Sequence, residues 1–159
     1  MKSTLAMLAI IGLVSAAAVS AETARQADIE RKSAGVMPFS MNATHHVFTP
    51  SANGGTQIVM VTDGDAKQVV LVRAHLRKEA AAFARGDFAD PAALHGARMP
   101  GLSTLRRSSR QLDVRYSDIP GGGRIAYVSR DPQTIGALHQ WFAAQVGDHG
   151  SRASMNMKM

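Results

Sequence analysis

Hydrophobic and polar positions alternate from Thr44 to Thr49, setting Thr44, His46 and Phe48 against His45, Val47 and Thr49. A period of two predicts a strand. Pro50-Ser-Ala-Asn-Gly-Gly55 follows as a turn, and the β-rich run Gln57-Ile-Val-Met-Val-Thr62 brings the chain back, completing a hairpin. The period then lengthens to that of a helix, with apolar side chains at Val69, Val72, Leu76, Ala80 and Phe83. Asp65 is placed to cap it, with Gln68 three residues on, so a helix is predicted from Ala66 to Ala84, stopped by Gly86.

The same grammar returns. Leu112-Asp-Val-Arg-Tyr-Ser117 alternates, Ile119-Pro-Gly-Gly-Gly123 turns, and Arg124-Ile-Ala-Tyr-Val-Ser129 pairs back. Asp131-Pro132 supplies an N-cap and a first-turn proline, and Ile135, Leu138, Phe142 and Val146 form the stripe of a helix closed by Gly150. Gly54-Gly-Thr-Gln-Ile-Val-Met-Val-Thr62 matches Gly121-Gly-Gly-Arg-Ile-Ala-Tyr-Val-Ser129 in pattern. The expected fold is α+β, a ββα–ββα pseudo-repeat whose four-stranded, mostly antiparallel sheet carries both helices on one face. This single domain is expected over residues 41–150. Between the units, Asp90-Pro91 starts a short helix that Gly96 ends, and Leu102 to Ser109 forms another. Residues 22–40 show no sustained period and read as a flexible lead-in, and residues 151–159 as a disordered, Met-containing tail.

The start of the chain changes the picture of where it works. Lys2 precedes an apolar run from Thr4 to Val19, and Val19-Ser20-Ala21 has the small residues a signal peptidase reads. The expectation is a signal peptide over residues 1–21, cleaved after Ala21, and a periplasmic protein without a membrane span once cleaved. An uncleaved anchor is the alternative; with no Cys after the apolar run, a lipoprotein is not.

At 159 residues and 45% hydrophobic, the chain supplies one core. Its 18 Lys and Arg against 12 Asp and Glu give a net charge of +6, and losing residues 1–21 removes Lys2 but no acid, so the mature chain stays basic. A basic domain could meet an anionic partner, but export and 5% aromatic residues argue against nucleic acid. With no cysteine, disulfides and thiolate metal sites are excluded, and soft-metal chemistry falls to His and Met.

The repeat places His46 on the apolar face of its strand and His45 on the other. His139 lies within the apolar stripe of the second helix, and His75 at the edge of that of the first. These imidazoles point toward one interlayer space, where they would be metal ligands or core residues bonded to backbone carbonyls. His95 and Met99 share a Gly/Pro-punctuated connector, a pairing that suits Cu(I), although Met99 could equally fill the core. His149 ends the last helix, where the dipole would favour its charged form and solvent would surround it. With His149, the tail residues Met155, Met157 and Met159 would be accessory metal ligands. The expected function is binding of a transition metal, copper before zinc, in tolerance or trafficking. The alternative is a metal-free interaction module that takes an anionic ligand or a periplasmic partner on Arg106, Arg107 and Arg110. Ser103, Ser108 and Ser109 lack a nucleophile-elbow context, no phosphate-binding Gly loop occurs, and no general base is placed, so binding rather than catalysis is expected.

Met37-Pro-Phe39, Thr44-His-His-Val-Phe48, Arg73-Ala-His-Leu-Arg-Lys-Glu79, Leu94-His-Gly96, Met99-Pro-Gly-Leu102, Val114-Arg-Tyr-Ser117, Leu138-His-Gln-Trp-Phe142 and Asp148-His-Gly150 carry a resemblance over nearly all the mature chain. The chain resembles a family of small exported bacterial proteins, often with His/Met-rich tails and sometimes labelled aspartate carbamoyltransferase. The tails imply metal handling. The transferase label finds no support here, because Ser103-Thr-Leu-Arg106 departs from the Ser-Thr-Arg-Thr phosphate-binding start at its critical arginine.

Overall fold

Two hairpins form the centre of the protein, a computed structural model that describes residues 24–156. Strand β1 (Thr44–Ser51) pairs antiparallel with β2 (Gly54–Val61), and β3 (Asp113–Ile119) with β4 (Gly122–Val128). Only Ala52 and Asn53 separate β1 from β2, so the turn is tighter than the sequence suggests. Gly54 allows it: φ is +142°, and a Cβ there would stand 2.0 Å from the Tyr127 carbonyl oxygen across the sheet. The hairpins join through antiparallel β2 and β4, with Gly55 opposite Tyr127 and Val59 opposite Gly123.

Helices α2 (Ala66–Phe83) and α5 (Pro132–His149) follow their hairpins, and both caps are made: Asp65 accepts from the Lys67 amide, Asp131 from the Thr134 amide. Directly paired residues share a face, so Gly55, Val59, Gly123 and Tyr127 look the same way. A Cβ on Gly123 would meet Leu76 of α2 and one on Gly55 would meet Phe142 of α5, which sets both helices on that face. Between the layers Phe48, Phe83, Phe88, Tyr127, Trp141 and Phe142 form the aromatic centre, with the Phe83 and Phe88 rings stacked at 4.6 Å. The short helices α3 (Ala89–His95) and α4 (Leu102–Arg107) close one end of this layer.

The sheet differs from the expected one. It is mixed and five-stranded, in the order β3-β4-β2-β1-β5, because β5 (Ala153–Met155) adds parallel to β1. The residues expected as disordered tail therefore include an edge strand, which buries Ala153 and packs Met155 against the core. Three residues carry too little alternation to announce a strand; the sheet edge supplies the partner. The lead-in expected to be flexible contains a helix, α1, over 24–36. Apart from Ile29, 3% exposed, its ties are mostly polar and tertiary: Arg25 to Asp148, Gln26 Nε2 donating to the Gly147 carbonyl at 3.2 Å, and Glu30 to Arg152 at 3.1 Å. An amphipathic stripe was not needed, so none was visible. The expected leader at 1–21, and Met157 and Met159, lie outside the described residues. Within those described, no helix is long and apolar enough to cross a membrane.

Candidate metal centre

Helical spacing carries His75 and Glu79 on the same inward face of α2, one turn apart. Asp90, in the first turn of α3, comes up beside them. One ligand atom from each of the three lies within 4.8 Å of the other two; among the described residues this is the one such group of three or more. His75 and Glu79 are buried, 7% and 5% exposed.

The electrostatics of this group are unsettled by design of its surroundings. Burial pushes the Glu79 carboxyl up to about 8, and the hydrogen bond with Asp90 adds to the rise. Asp90 moves the other way, held low first by its bond from the Lys78 ammonium at 2.8 Å. One proton is thus shared between two carboxyls and resides on Glu79. Burial lowers His75 to about 4, so its imidazole is neutral and ready to donate a lone pair.

A cavity of about 30 Å³ opens onto His75, Glu79 and Asp90, and other polar side chains reach its largely apolar wall. His46 reaches it from β1, Gln57 from β2, His95 from α3, and Trp141 and Gln145 from successive turns of α5. Tyr127 donates to Gln57 Oε1 at 2.9 Å. Neither ring nitrogen of His46 has a hydrogen-bond partner among the described residues, nor do Trp141 Nε1, Gln145 Nε2 or His149 Nε2. An unpaired buried polar atom costs about 1–3 kcal/mol. Several around one cavity call for a ligand or water within it. Burial lowers His46 to about 3, with His45, His95 and His75 adding to the fall.

Beside the cavity stands a second cluster of similar composition. His95 Nδ1 and Asp148 Oδ2 are 2.8 Å apart, and Arg25 grips the same carboxylate with two nitrogens while donating to the His95 carbonyl at 3.1 Å. Burial works to raise Asp148, but the bonds from His95 and Arg25 outweigh it and hold it low. The His149 ring lies 4.9 Å from both His46 and His95.

Of the residues expected as ligands, the fold gathers His46, His75 and His95 around one cavity and leaves two elsewhere. His139 donates Nε2 to the Gly54 carbonyl at 2.7 Å and borders a separate depression with Ala52 and Asn53, so it is not an inward ligand. Met99 is 6% exposed within the core, away from the cavity lining, as the packing alternative had it. His149 is not solvated: it is 6% exposed, and burial followed by His46 and His95 depresses its pKa, overriding the helix dipole. His45 points outward, its Nε2 3.0 Å from Ser154 Oγ. Met155, the last residue of β5, is half-buried against the core. The arginines do not converge: Arg106 donates to the Phe88 carbonyl, Arg107 to Thr104 Oγ1, and Arg110 borders a depression that also holds Asp113 and Asp131. Glu79, Asp90, Gln57, Trp141 and Gln145 were not anticipated. For Glu79 a signal existed, since a carboxylate three residues past Leu76 and one before Ala80 falls on the buried stripe.

No family model, curated protein or solved structure matches the chain. The chemistry of the cavity therefore has to be read from its own residues.

Proposed function

We propose that this is an exported protein that binds a divalent transition metal through His75, Glu79 and Asp90. The observation that carries the reading is that convergence of three donors within 4.8 Å, two of them buried. One imidazole and two carboxylates form a borderline-to-hard donor set, which suits Zn²⁺ and its neighbours better than Cu(I). Copper loses its soft partner, because Met99 packs away from the cavity. His46, with both ring nitrogens unpaired, is the fourth protein donor available in the same lining.

Metal entry must displace the proton on Glu79, so affinity should rise about tenfold per pH unit until Glu79 ionises near 8. Calorimetric titration of the purified chain with Zn²⁺ tests the reading. It should give one site per chain with a proton released at pH 7, and His75→Ala and Glu79→Gln should each weaken binding at least 100-fold. Wild-type affinity in both variants would remove the site.

A further inference from the structure

On the reading that His75, Glu79 and Asp90 hold an ion, that ion has to reach two buried donors, and the cavity wall shows by which way. All the residues that line the cavity are buried except Met37 and Asp90, which are half-buried. The cavity therefore comes nearest to solvent between the chain that follows α1 and the first turn of α3. Met37-Pro38-Phe39 forms the first of these lips. Phe39 turns inward from it, its ring centroid 5.6 Å from that of His75, edge-on, and 6.3 Å from that of His46. Residues 37–40 belong to no helix or strand. At one end the Met37 amide donates to the Ser33 carbonyl of α1 at 2.7 Å. At the other the Ser40 amide donates to Gln68 Oε1, in the first turn of α2, at 2.8 Å in an exposed position. A segment tied by few and exposed backbone bonds opens at low cost.

We propose that Met37-Pro38-Phe39 is a gate, a strap that lifts Phe39 from His75 to admit and release the ion. Closed, the Phe39 ring covers the imidazole that would bind the metal. Open, the strap gives up the Gln68 tie, which water replaces at little net loss because that bond is exposed. The strap packs on the wall and supplies none of the three donors, so its opening sets the rates of entry and exit together and leaves their ratio, the affinity, alone.

Stopped-flow kinetics with Co²⁺ test this in the intact chain. Trp141 is the one tryptophan and lines the cavity, so quenching of its fluorescence reports entry, and its recovery on adding excess chelator reports exit. Phe39→Ala should speed entry and exit at least tenfold each while Kd stays within threefold of wild type. Gln68→Ala frees the far end of the strap without touching the cavity wall, and should speed both at least threefold with the fold undisturbed. Unchanged rates in Gln68→Ala would overturn the gate while leaving the metal in place. So would faster exit at unchanged entry in Phe39→Ala, the sign of a ring that only packs on His75. A wild-type chain that binds no Co²⁺, by quenching or by calorimetry, would remove the metal site and the gate together.

Discussion

Two clusters of the same ingredients lie side by side in the interlayer space, and they have opposite characters. Around Asp148, a buried carboxylate meets an imidazole and a guanidinium, and each charge finds its partner. Around Glu79, two carboxyls, a neutral imidazole and one surface ammonium leave a proton where a cation could stand. The first is a clamp that fastens α1 and α3 to the end of α5. The second is the proposed metal site. The difference lies in the count of positive charges: one full guanidinium for one carboxylate in the clamp, one half-shared ammonium for two carboxyls in the site. Composition alone would not separate them; geometry and protonation do.

The largest expected effect breaks the clamp. Asp148→Ala strands the His95 ring in a nearly closed environment and frees Arg25 to solvent. Removing one partner of a buried pair costs about 3–5 kcal/mol, and with Arg25 half exposed the low end, about 3 kcal/mol, is expected. Urea unfolding should show it as a fall in midpoint at constant slope. A change below about 1 kcal/mol would mean that α1 is not held by this contact.

The second test uses pH to tell the clusters apart. Glu79 has a folded pKa of about 8 against an ordinary 4.5, so the folded chain keeps a proton that the unfolded chain has released. Stability from this group is present at low pH and is lost as pH rises through that window, about 2 kcal/mol between pH 6.5 and 8. The depressed histidines act in the opposite sense: His46 near 3 and His75 near 4 refuse protons that unfolded imidazoles take below 6.5, so stability falls as pH drops below that value. The metal-free chain should be most stable near pH 6.5. In Glu79→Gln the decline toward pH 8 should vanish and the acid limb remain. A decline that persists would place the proton on another group.

How far the sequence could show this is a question of period. The hairpins and the two long helices were legible because each turns an alternating set or a stripe of apolar side chains toward the layer between sheet and helices, and that pattern is the trace that packing leaves. Helix α1 and strand β5 were not, since one is held largely by ion pairs to residues more than a hundred positions away and the other is three residues long. His46, His75 and His95 were legible as inward or connector histidines. Their common cavity required the fold. Glu79 shows itself only by position, since an acidic residue on the buried stripe of α2 is set facing the core. His139 shows the converse: stripe position brought it inward in expectation, but the carbonyl of the first residue of β2 captured its ring.

His46 should sharpen the comparison in a smaller way. A histidine kept for packing is made worse by losing its hydrogen bonds, but His46 makes none. Replacing it by Leu removes two unpaired polar atoms from a 2% exposed position, so the metal-free chain should gain about 1 kcal/mol while Zn²⁺ binding weakens. Thermal unfolding with and without Zn²⁺ would report both. Loss of stability in the metal-free chain would make His46 a structural residue.

The smallest effect belongs to His139, and its smallness is informative. Its ring donates to the Gly54 carbonyl beside the tight turn that opens β2, far along β1 and β2 from the pairing of His46 with Val59. His139→Phe keeps an aromatic ring and removes one hydrogen bond from a half-buried place, which costs about 1 kcal/mol. Because Gly54 has no direct part in the cavity, Zn²⁺ affinity should stay within twofold of wild type, and the 100-fold losses should be confined to His75 and Glu79. Should His139→Phe weaken Zn²⁺ as much as His75→Ala, the ion would have to sit nearer the turn than to Glu79, and the division between a charged clamp, a metal site and a purely structural imidazole would have to be redrawn.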